Sequence, residues 1–154
     1  MRERGFTITE LMVVVAIMGV LTAAATPSLL RWLTSIRMES ATQEIASTLQ
    51  LARVKAITQN TSIRINFDTA ANTYQIQQRD SANLTTWNNV EKAKKLPLGV
   101  TFVSITGNPI TFQSGRGSTP VGNNGTVTLK NTQGKTTDVV VAQTGRVSVR
   151  KQEK

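Results

Sequence analysis

Glu10 is the residue whose type and position suggest the most specific chemistry in this sequence. It stands directly before an apolar run, Leu11 to Leu30, that contains no charged residue. An ionised carboxylate within hydrocarbon costs about 2.5–3.5 kcal/mol, although the cost is lower near the end of a membrane span. The carboxylate can meet this cost by extending into the lipid head groups or by pairing with a cation.

Anion binding is the second candidate chemistry, because the chain is strongly basic. Its 154 residues include 18 Lys and Arg against 9 Asp and Glu, which gives a formal net charge of +9. Such a balance favours anionic partners such as nucleic acid, anionic lipid or an acidic polymer. The alternative is a basic surface that serves only solubility.

Enzyme, metal and cofactor chemistry find little support in the composition. The chain contains no cysteine and no histidine, which removes disulfide bonds, thiolate ligands and the commonest general base. The acidic residues beyond Glu10 show no spacing typical of a metal site or of a catalytic carboxylate pair. We therefore predict a protein that is not an enzyme and that binds no metal and no cofactor.

The apolar run is long enough to position Glu10 at one boundary of a membrane. Twenty helical residues span about 30 Å, the thickness of one hydrocarbon core. A secretory signal peptide has a shorter apolar core of about 7–15 residues, whereas this run continues to Arg31. Arg2 and Arg4 precede the run and should stay in the cytoplasm. The rest of the chain should therefore lie on the far side of the membrane.

The helix should continue beyond the membrane, from about Thr7 to Thr58. Gly19 and Pro27 are the positions where it is expected to break or loosen, since proline removes a hydrogen-bond donor. Apolar residues then recur at helical spacing: Ile36, Ala41, Ile45, Leu49, Ala52 and Ala56. This weak apolar face, which includes three alanines, favours packing against a sheet over a free-standing coiled coil.

From Ser62 onward apolar and polar residues alternate, which is typical of β-strands. Seven segments show the pattern: SIRINF, TYQIQ, GVTFVSI, NPITFQ, GTVTLK, TTDVVVAQ and GRVSVR. The stretch RDSANLTTWNNVEKAKKLP lacks a clear period and is expected to form a long loop or an edge. The predicted fold class is α+β: a long N-terminal helix, transmembrane in its first half, packed on a small antiparallel β-sheet domain with two sheets.

The string G-F-T-I-T-E-L, Gly5 to Leu11, resembles the type III signal of type IV pilins and type II secretion pseudopilins. The resemblance implies that a prepilin peptidase cuts after Gly5 and that the new N-terminal residue, Phe6, is N-methylated. It also implies that Glu10 meets the amine of a neighbouring subunit during assembly. Within one helix the Phe6 amine and Glu10 are an i,i+4 pair, so cleavage would create the cation that Glu10 needs.

Three further blocks resemble the FimT/GspH group of minor pilins and pseudopilins. They are LQLARVKAITQNTSIRINFD (Leu49 to Asp68), ITFQSGRGS (Ile110 to Ser118) and TGRVSVRK (Thr144 to Lys151). The group's fold is a long helix with two small β-sheets. The chain then divides into a leader (1–5), a transmembrane and assembly half of the helix (6–30), an amphipathic half (31–58) and a β-rich globular pilin domain (59–154).

Basic residues of the exported domain form two groups that are candidates for binding DNA. One group is Lys92, Lys94 and Lys95; the other is Arg146, Arg150 and Lys151, with Arg116 in a loop. With the valines of GRVSVR toward the core, the two arginines would lie about 13–14 Å apart on an exposed face. Some FimT-type minor pilins bind DNA through a C-terminal G-R-x-R motif, whereas Ser148 occupies the second arginine position here. The alternative is an edge strand protected by charge.

These features predict a minor type IV pilin that assembles into a pilus or primes one and that binds extracellular DNA non-specifically during natural transformation. The alternative is a minor pseudopilin of the type II secretion system. The expected partners are other pilin or pseudopilin subunits, the prepilin peptidase, the inner membrane before assembly, and DNA. The expected location is the bacterial inner membrane, with the C-terminal domain in the periplasm or outside, and afterwards a pilus or pseudopilus.

Overall fold

A single helix forms the first third of the protein. The computed structural model describes residues 7–120 and 125–152, and α1 spans Ile8–Thr58. Thr7 caps the helix: its hydroxyl accepts a hydrogen bond from the Glu10 amide, and the Glu10 carboxylate accepts one from the Thr7 amide. This capping box satisfies two backbone donors that lack a partner within the helix. The long helix predicted from the sequence is confirmed.

The two halves of α1 have different surroundings. Residues 7–32 are exposed, whereas buried side chains begin at Met38 and recur every three or four positions. They are Met38, Ala41, Thr42, Ile45, Thr48, Leu49, Ala52 and Ala56. Ile36, which was expected on this face, is 39% exposed, because at 3.6 residues per turn it lies on the opposite side of the helix from Ile45 and Leu49.

The described residues beyond α1 contain nine strands. They are Ile63–Asp68 (β1), Thr73–Arg79 (β2), Trp87–Asn89 (β3), Lys94–Lys95 (β4), Val100–Thr106 (β5), Ile110–Phe112 (β6), Gly125–Asn131 (β7), Thr136–Val141 (β8) and Val147–Gln152 (β9). Each of the seven alternating segments contains one strand. The stretch without a period contributes β3 and β4, which are short because its polar residues offer little to bury.

The strands form two antiparallel sheets. Sheet A has the order β3-β2-β1-β6, and β4 also pairs with β2. Because β3 pairs with the end of β2 and β4 with its start, these two strands follow one another along the same edge. Sheet B has the order β5-β7-β8-β9, so the C-terminal strand β9 is an edge strand.

One core lies between α1 and the inner faces of the two sheets. It includes Ile63, Ile65 and Phe67 of β1, Val127 and Leu129 of β7, and Val139 and Val141 of β8, all buried. The alternate residues of these strands face solvent, as period-two patterning requires. The predicted fold class, a long helix packed on two antiparallel sheets, is confirmed.

Candidate assembly helix and basic surfaces

The Glu10 carboxylate is hydrogen-bonded at the start of its own helix. Its Oε2 atom accepts hydrogen bonds from the Thr7 amide at 3.0 Å and the Thr7 hydroxyl at 2.9 Å. Both bonds use Oε2, so Oε1 can accept from a further donor. A threonine three residues before a glutamate is the sequence signal for this capping box. The prediction from the sequence rested only on the charge of Glu10 in a membrane and did not use this signal.

Four other residues were predicted to take part in processing and assembly: Gly5, Phe6, Gly19 and Pro27. Gly5 and Phe6, the predicted cleavage and methylation positions, lie outside the described residues. α1 is continuous through Gly19 and Pro27, and the space around Gly19 is open. Loosening of the helix at these two residues stays a prediction.

The first half of α1 exposes a long apolar surface. Its large exposed side chains are Leu11, Met12, Val13, Val14, Val15, Ile17, Met18, Val20, Leu21, Leu29 and Leu30. Among the described residues α1 is the helix that is long and apolar enough to cross a membrane, and its most apolar window is not covered by the rest of the protein. Burying one such side chain is worth about 1.5–3 kcal/mol. An exposed apolar surface of this size is typical of a segment that is covered by lipid or by other helices.

Strand β9 carries two of the residues that were candidates for DNA binding, Arg150 and Lys151. Of its two valines, Val147 packs against the core, whereas Val149 is 45% exposed because it lies on an edge strand. Arg146 stands directly before the strand, and Arg150 lies opposite Asp138 in the register with β8. A carboxylate therefore neighbours one of the two arginines.

Lys151 lies on the opposite face of β9 from Arg150. Its Nζ is 3.9 Å from Oε1 of Glu39 on α1, which places Lys151 on the side of the sheet that faces the helix. Exposed ion pairs of this kind contribute about 0–1 kcal/mol. The contact with Glu39 nevertheless shows that Lys151 does not lie on the same surface as Arg150, with which it was grouped from the sequence.

The Ser-x-x-Lys spacing of Ser148 and Lys151 has no catalytic geometry. On a helix, residues three apart lie on the same face and can interact. On strand β9 they point to opposite faces, and Lys151 is directed at Glu39. This spacing therefore gives no support for an enzyme.

The three lysines of the other candidate group lie along the edge of sheet A, while β9 lies in sheet B. Lys94 and Lys95 form β4, and all three lysine side chains are exposed. Glu91 lies 3.7 Å from the Nζ of Lys94 and 3.7 Å from the Nζ of Lys55 on α1. The fold therefore places the two candidate groups on different sheets and gives each an acidic neighbour.

Arg116 and Arg146 stand next to a close contact between two turns. Their neighbours Gly117 and Gly145 have φ angles of +62° and +77°. A Cβ added to Gly145 would overlap the carbonyl oxygen of Gly117 and would lie 2.9 Å from Nε of Arg53 on α1. All three sequence blocks that resemble the FimT/GspH group therefore meet at this point.

Hydrogen bonds attach this junction to the end of α1. The Gly115 amide donates to the Ala56 carbonyl at 3.1 Å, and the Ser114 hydroxyl donates to Oδ1 of Asn60 at 2.8 Å. A Cβ on Gly117 would lie 2.7 Å from Cδ1 of Ile57. The glycines are therefore required by close packing as well as by backbone conformation.

The outer face of sheet A carries a charged group that the sequence did not reveal. The guanidinium carbon of Arg64 lies 4.2 Å from the centroid of the Trp87 ring, and that of Arg79 lies 5.2 Å from it. Register explains the arrangement, because Arg79 is opposite Trp87 and Arg64 is opposite Gln77. Only the pairing of three strands brings these residues together, so no local pattern could have identified them.

Comparison with protein families gives two matches. Residues 41–145 match the family described as type II transport protein GspH, and residues 1–26 match the prokaryotic N-terminal methylation motif. The second match includes the apolar run and Glu10. No curated protein sequence matches the chain.

Two solved structures share the fold. The minor pseudopilin EpsH from the type 2 secretion system of Vibrio cholerae superposes with a TM-score of 0.61 at 11% identity, covering 75% of this chain and 97% of that chain. The type IV minor pilin FimU of Pseudomonas aeruginosa superposes with a TM-score of 0.57 at 20% identity, covering 73% of this chain and 87% of that chain.

The family match extends over more than half of the chain, and the methylation motif occupies its beginning. The fold is the one seen in a minor pseudopilin and in a minor pilin. Such proteins are structural subunits that assemble with other pilin subunits. The chain therefore belongs to the GspH family and is a minor pilin or minor pseudopilin.

Proposed function

We propose that this protein is a minor type IV pilin that is made as a membrane-anchored precursor and is then assembled into a pilus or its priming tip. Its C-terminal domain lies in the periplasm before assembly. The prepilin peptidase cuts after Gly5, and Phe6 becomes the methylated N-terminus. The observation that carries the proposal is the division of α1, whose first half is apolar and exposed while its second half completes the core.

This division means that the domain does not need the first half of the helix for its own core. The buried residues of α1 begin at Met38, so residues 8–30 can move from lipid to a bundle of neighbouring helices without disturbing the sheets. Cleavage after Gly5 would also remove Arg2 and Arg4, the cytoplasmic charges that hold the precursor in the membrane.

Glu10 would pair with an amine in the assembled filament. Thr7 fixes one carboxylate oxygen through two hydrogen bonds, which leaves Oε1 for the Phe6 amine of a neighbouring subunit. An uncompensated charge in an apolar bundle is costly, and a pair is tolerated when its hydrogen bonds are satisfied. The charge pair would therefore favour one register of packing between helices.

Deletion of the gene in its host tests this proposal. We expect surface pili to be lost or strongly reduced while protein secretion continues, and the wild-type gene should restore the pili. A cleavage-resistant Gly5 variant should stay in the membrane fraction and fail to restore them.

The alternative is a minor pseudopilin of the type II secretion system, in which the same helix would join a short periplasmic filament. The strongly basic composition, +9, is our reason for placing the pilus first. Loss of secretion with normal pili in the deletion strain would establish the alternative instead.

Contact with DNA phosphates is a second candidate function, favoured by one observation. The contact between Gly117 and Gly145 brings Arg116 and Arg146 to the same junction, although they are distant in sequence. Binding would be non-specific and would weaken with salt. A DNA mobility-shift titration of the full chain in detergent at two salt concentrations tests it. Arg116→Ala/Arg146→Ala should weaken binding about 10-fold and reduce the salt slope, and unchanged binding would reject this site.

A further inference from the structure

We propose that Arg64, Arg79 and Trp87 form a docking site on sheet A for a carboxylate-bearing segment of another protein chain. The proposal goes beyond filament assembly through α1, since it concerns the outer face of the globular domain. It rests on two guanidinium groups that the strand register holds on one tryptophan ring.

The first step is that the two arginines are held in place. Nε of Arg64 donates to Oε1 of Gln77 at 2.7 Å, and Nε2 of Gln77 donates to Oδ1 of Asn89 at 2.9 Å. Trp87 supports both guanidinium planes through cation–π contacts. The terminal nitrogens of Arg64 remain as a planar pair of donors, which matches the two oxygens of a carboxylate.

The second step is that no carboxylate among the described residues forms a salt bridge with Arg64 or Arg79. Each salt bridge found there involves a lysine. Nε of Arg79 is buried and has no hydrogen-bond partner there. Burial and the charge of Arg79 also lower the pKa of Arg64. Two like charges on one ring are mutually unfavourable, so an incoming anion would stabilise the group.

The third step is that the carboxylates among the described residues of the globular part are engaged elsewhere. Asp80 is the nearest in sequence to Arg79, and its two oxygens accept hydrogen bonds from the Ala82 amide and the Asn88 side chain. The others bond to lysines, to Tyr74, or to hydroxyl, amide and backbone groups: Glu39, Glu44, Asp68, Glu91 and Asp138. The described residues of this domain therefore supply no carboxylate to the two arginines.

The surroundings favour a protein segment over nucleic acid. Nucleic-acid affinity depends on a track of cations that displaces several counterions, whereas the side chains beside the two arginines on this face are amides such as Gln75, Gln77 and Asn89. The Trp87 ring is already in contact with guanidinium groups and is less available to stack on a base. Amides can hydrogen-bond to peptide groups on either side of a carboxylate.

A polar cavity next to the arginines extends this surface. It has a volume of about 650 Å³ and its lining includes Gln78, Arg79, Asn88 and Asn89. Hydroxyl and amide groups of the turn after α1 complete the lining, among them Asn60 and Thr61. An extended segment could place its carboxylate on the arginines and its neighbouring residues in this cavity.

The test uses the full chain in neutral detergent micelles with three probes: dye-labelled hexaglutamate, hexaglutamine and a twelve-nucleotide oligo(dT). Anisotropy of the labelled peptide reports affinity. Emission of Trp87, in a Trp32→Phe background that leaves it as the single tryptophan, reports location. We expect hexaglutamate to bind saturably and to change Trp87 emission, and hexaglutamine to do neither.

Two variants and a matched control decide the outcome. Arg64→Gln/Arg79→Gln should weaken hexaglutamate binding at least about 10-fold, and Arg64→Lys/Arg79→Lys should also weaken it because the planar fork is lost. The lysine variant keeps the charge, so it tests the proposal even if the glutamine variant misfolds. Circular dichroism would show such misfolding. Lys130→Gln/Lys135→Gln removes the same charge from sheet B and should change affinity less than about 2-fold, because distant exposed charges are screened.

Three results would overturn the proposal. The first is an equal loss in the sheet B control, which would indicate non-specific attraction to a basic protein. The second is that oligo(dT) binds in a way that depends on Arg64 and Arg79 and changes Trp87 emission, while hexaglutamate does neither. This result would assign the site to nucleic acid. The third is no binding of hexaglutamate at low salt.

Discussion

Gly145 lies directly against the carbonyl oxygen of Gly117, and this contact joins the turn before β9 to the loop after β6. Arg53 of α1 packs against the same point, with Nε 2.9 Å from the place where a Cβ on Gly145 would lie. The end of the helix and both sheets are therefore connected at one junction.

The first prediction concerns this junction. Gly145→Ala should lower the free energy of unfolding by more than about 2 kcal/mol, because it adds overlap with Gly117 to the cost of a positive φ. Gly134→Ala is the matched control: its φ is +85° but its surroundings are open, so it should cost about 1–2 kcal/mol. Denaturant unfolding of the full chain in detergent measures both, and equal losses would contradict close packing at Gly145.

The second prediction concerns Glu10. Glu10→Gln keeps a side-chain acceptor for the Thr7 amide but removes the charge that would attract an amine. We expect unchanged helix content and incorporation into filaments reduced on the order of 10-fold, as loss of a charged hydrogen bond suggests. Immunoblots of sheared filaments measure incorporation, with Glu39→Gln as the control. Normal incorporation of Glu10→Gln would show that the charge is not needed.

The third prediction concerns the helix-to-sheet hydrogen bond of Tyr74, whose hydroxyl donates to Oε1 of Glu44 at 2.6 Å. Burial, and secondly this carboxylate, raise the pKa of Tyr74 above its ordinary value of about 10. The contribution of protonated Tyr74 to the free energy of unfolding is therefore fully present below about pH 10. It is lost as the pH rises through the pKa that Tyr74 has in the folded state.

Tyr74→Phe should accordingly lower the free energy of unfolding by about 1–2 kcal/mol at neutral pH. It should also make the decline in stability above pH 10 less steep than in the wild type. Unfolding curves at several pH values measure both effects. An unchanged alkaline decline would show that Tyr74 does not titrate with unfolding.

The fourth prediction concerns the two faces of α1. Leu49→Ala should cost about 2–5 kcal/mol, because Leu49 is fully buried in the core. Leu51→Ala should cost less than about 1 kcal/mol, because Leu51 is 44% exposed on the other side of the helix. Similar losses from the two changes would contradict the orientation of the helix on the sheets.

Local patterns were sufficient to predict most of the fold. The apolar run and the helical spacing after it identify α1, because both depend on residues within one or two turns of each other. Alternation identifies seven strands for the same reason. The segment from Arg79 to Pro97 was less predictable, since β3 and β4 are edge strands whose polar residues carry no period.

Local patterns were much less informative about which charged residues lie together. Arg150 and Lys151 are adjacent in sequence, yet the strand directs them to opposite faces and α1 supplies Glu39 to Lys151. Arg116 and Arg146 are distant in sequence, yet a contact between two glycine turns brings their backbones close. Such arrangements depend on chain reversals whose geometry no short segment fixes.

The sequence by itself determined that the chain has an apolar helix with Glu10 at its start, a methylation motif and a strand-rich basic domain. These features follow from the order and spacing of neighbouring residues. Only the tertiary structure decided that Arg64, Arg79 and Trp87 share one surface and that Glu39 of α1 lies beside Lys151. The physical reason is register: in a sheet, the partner strand and the face to which a side chain points determine what it meets.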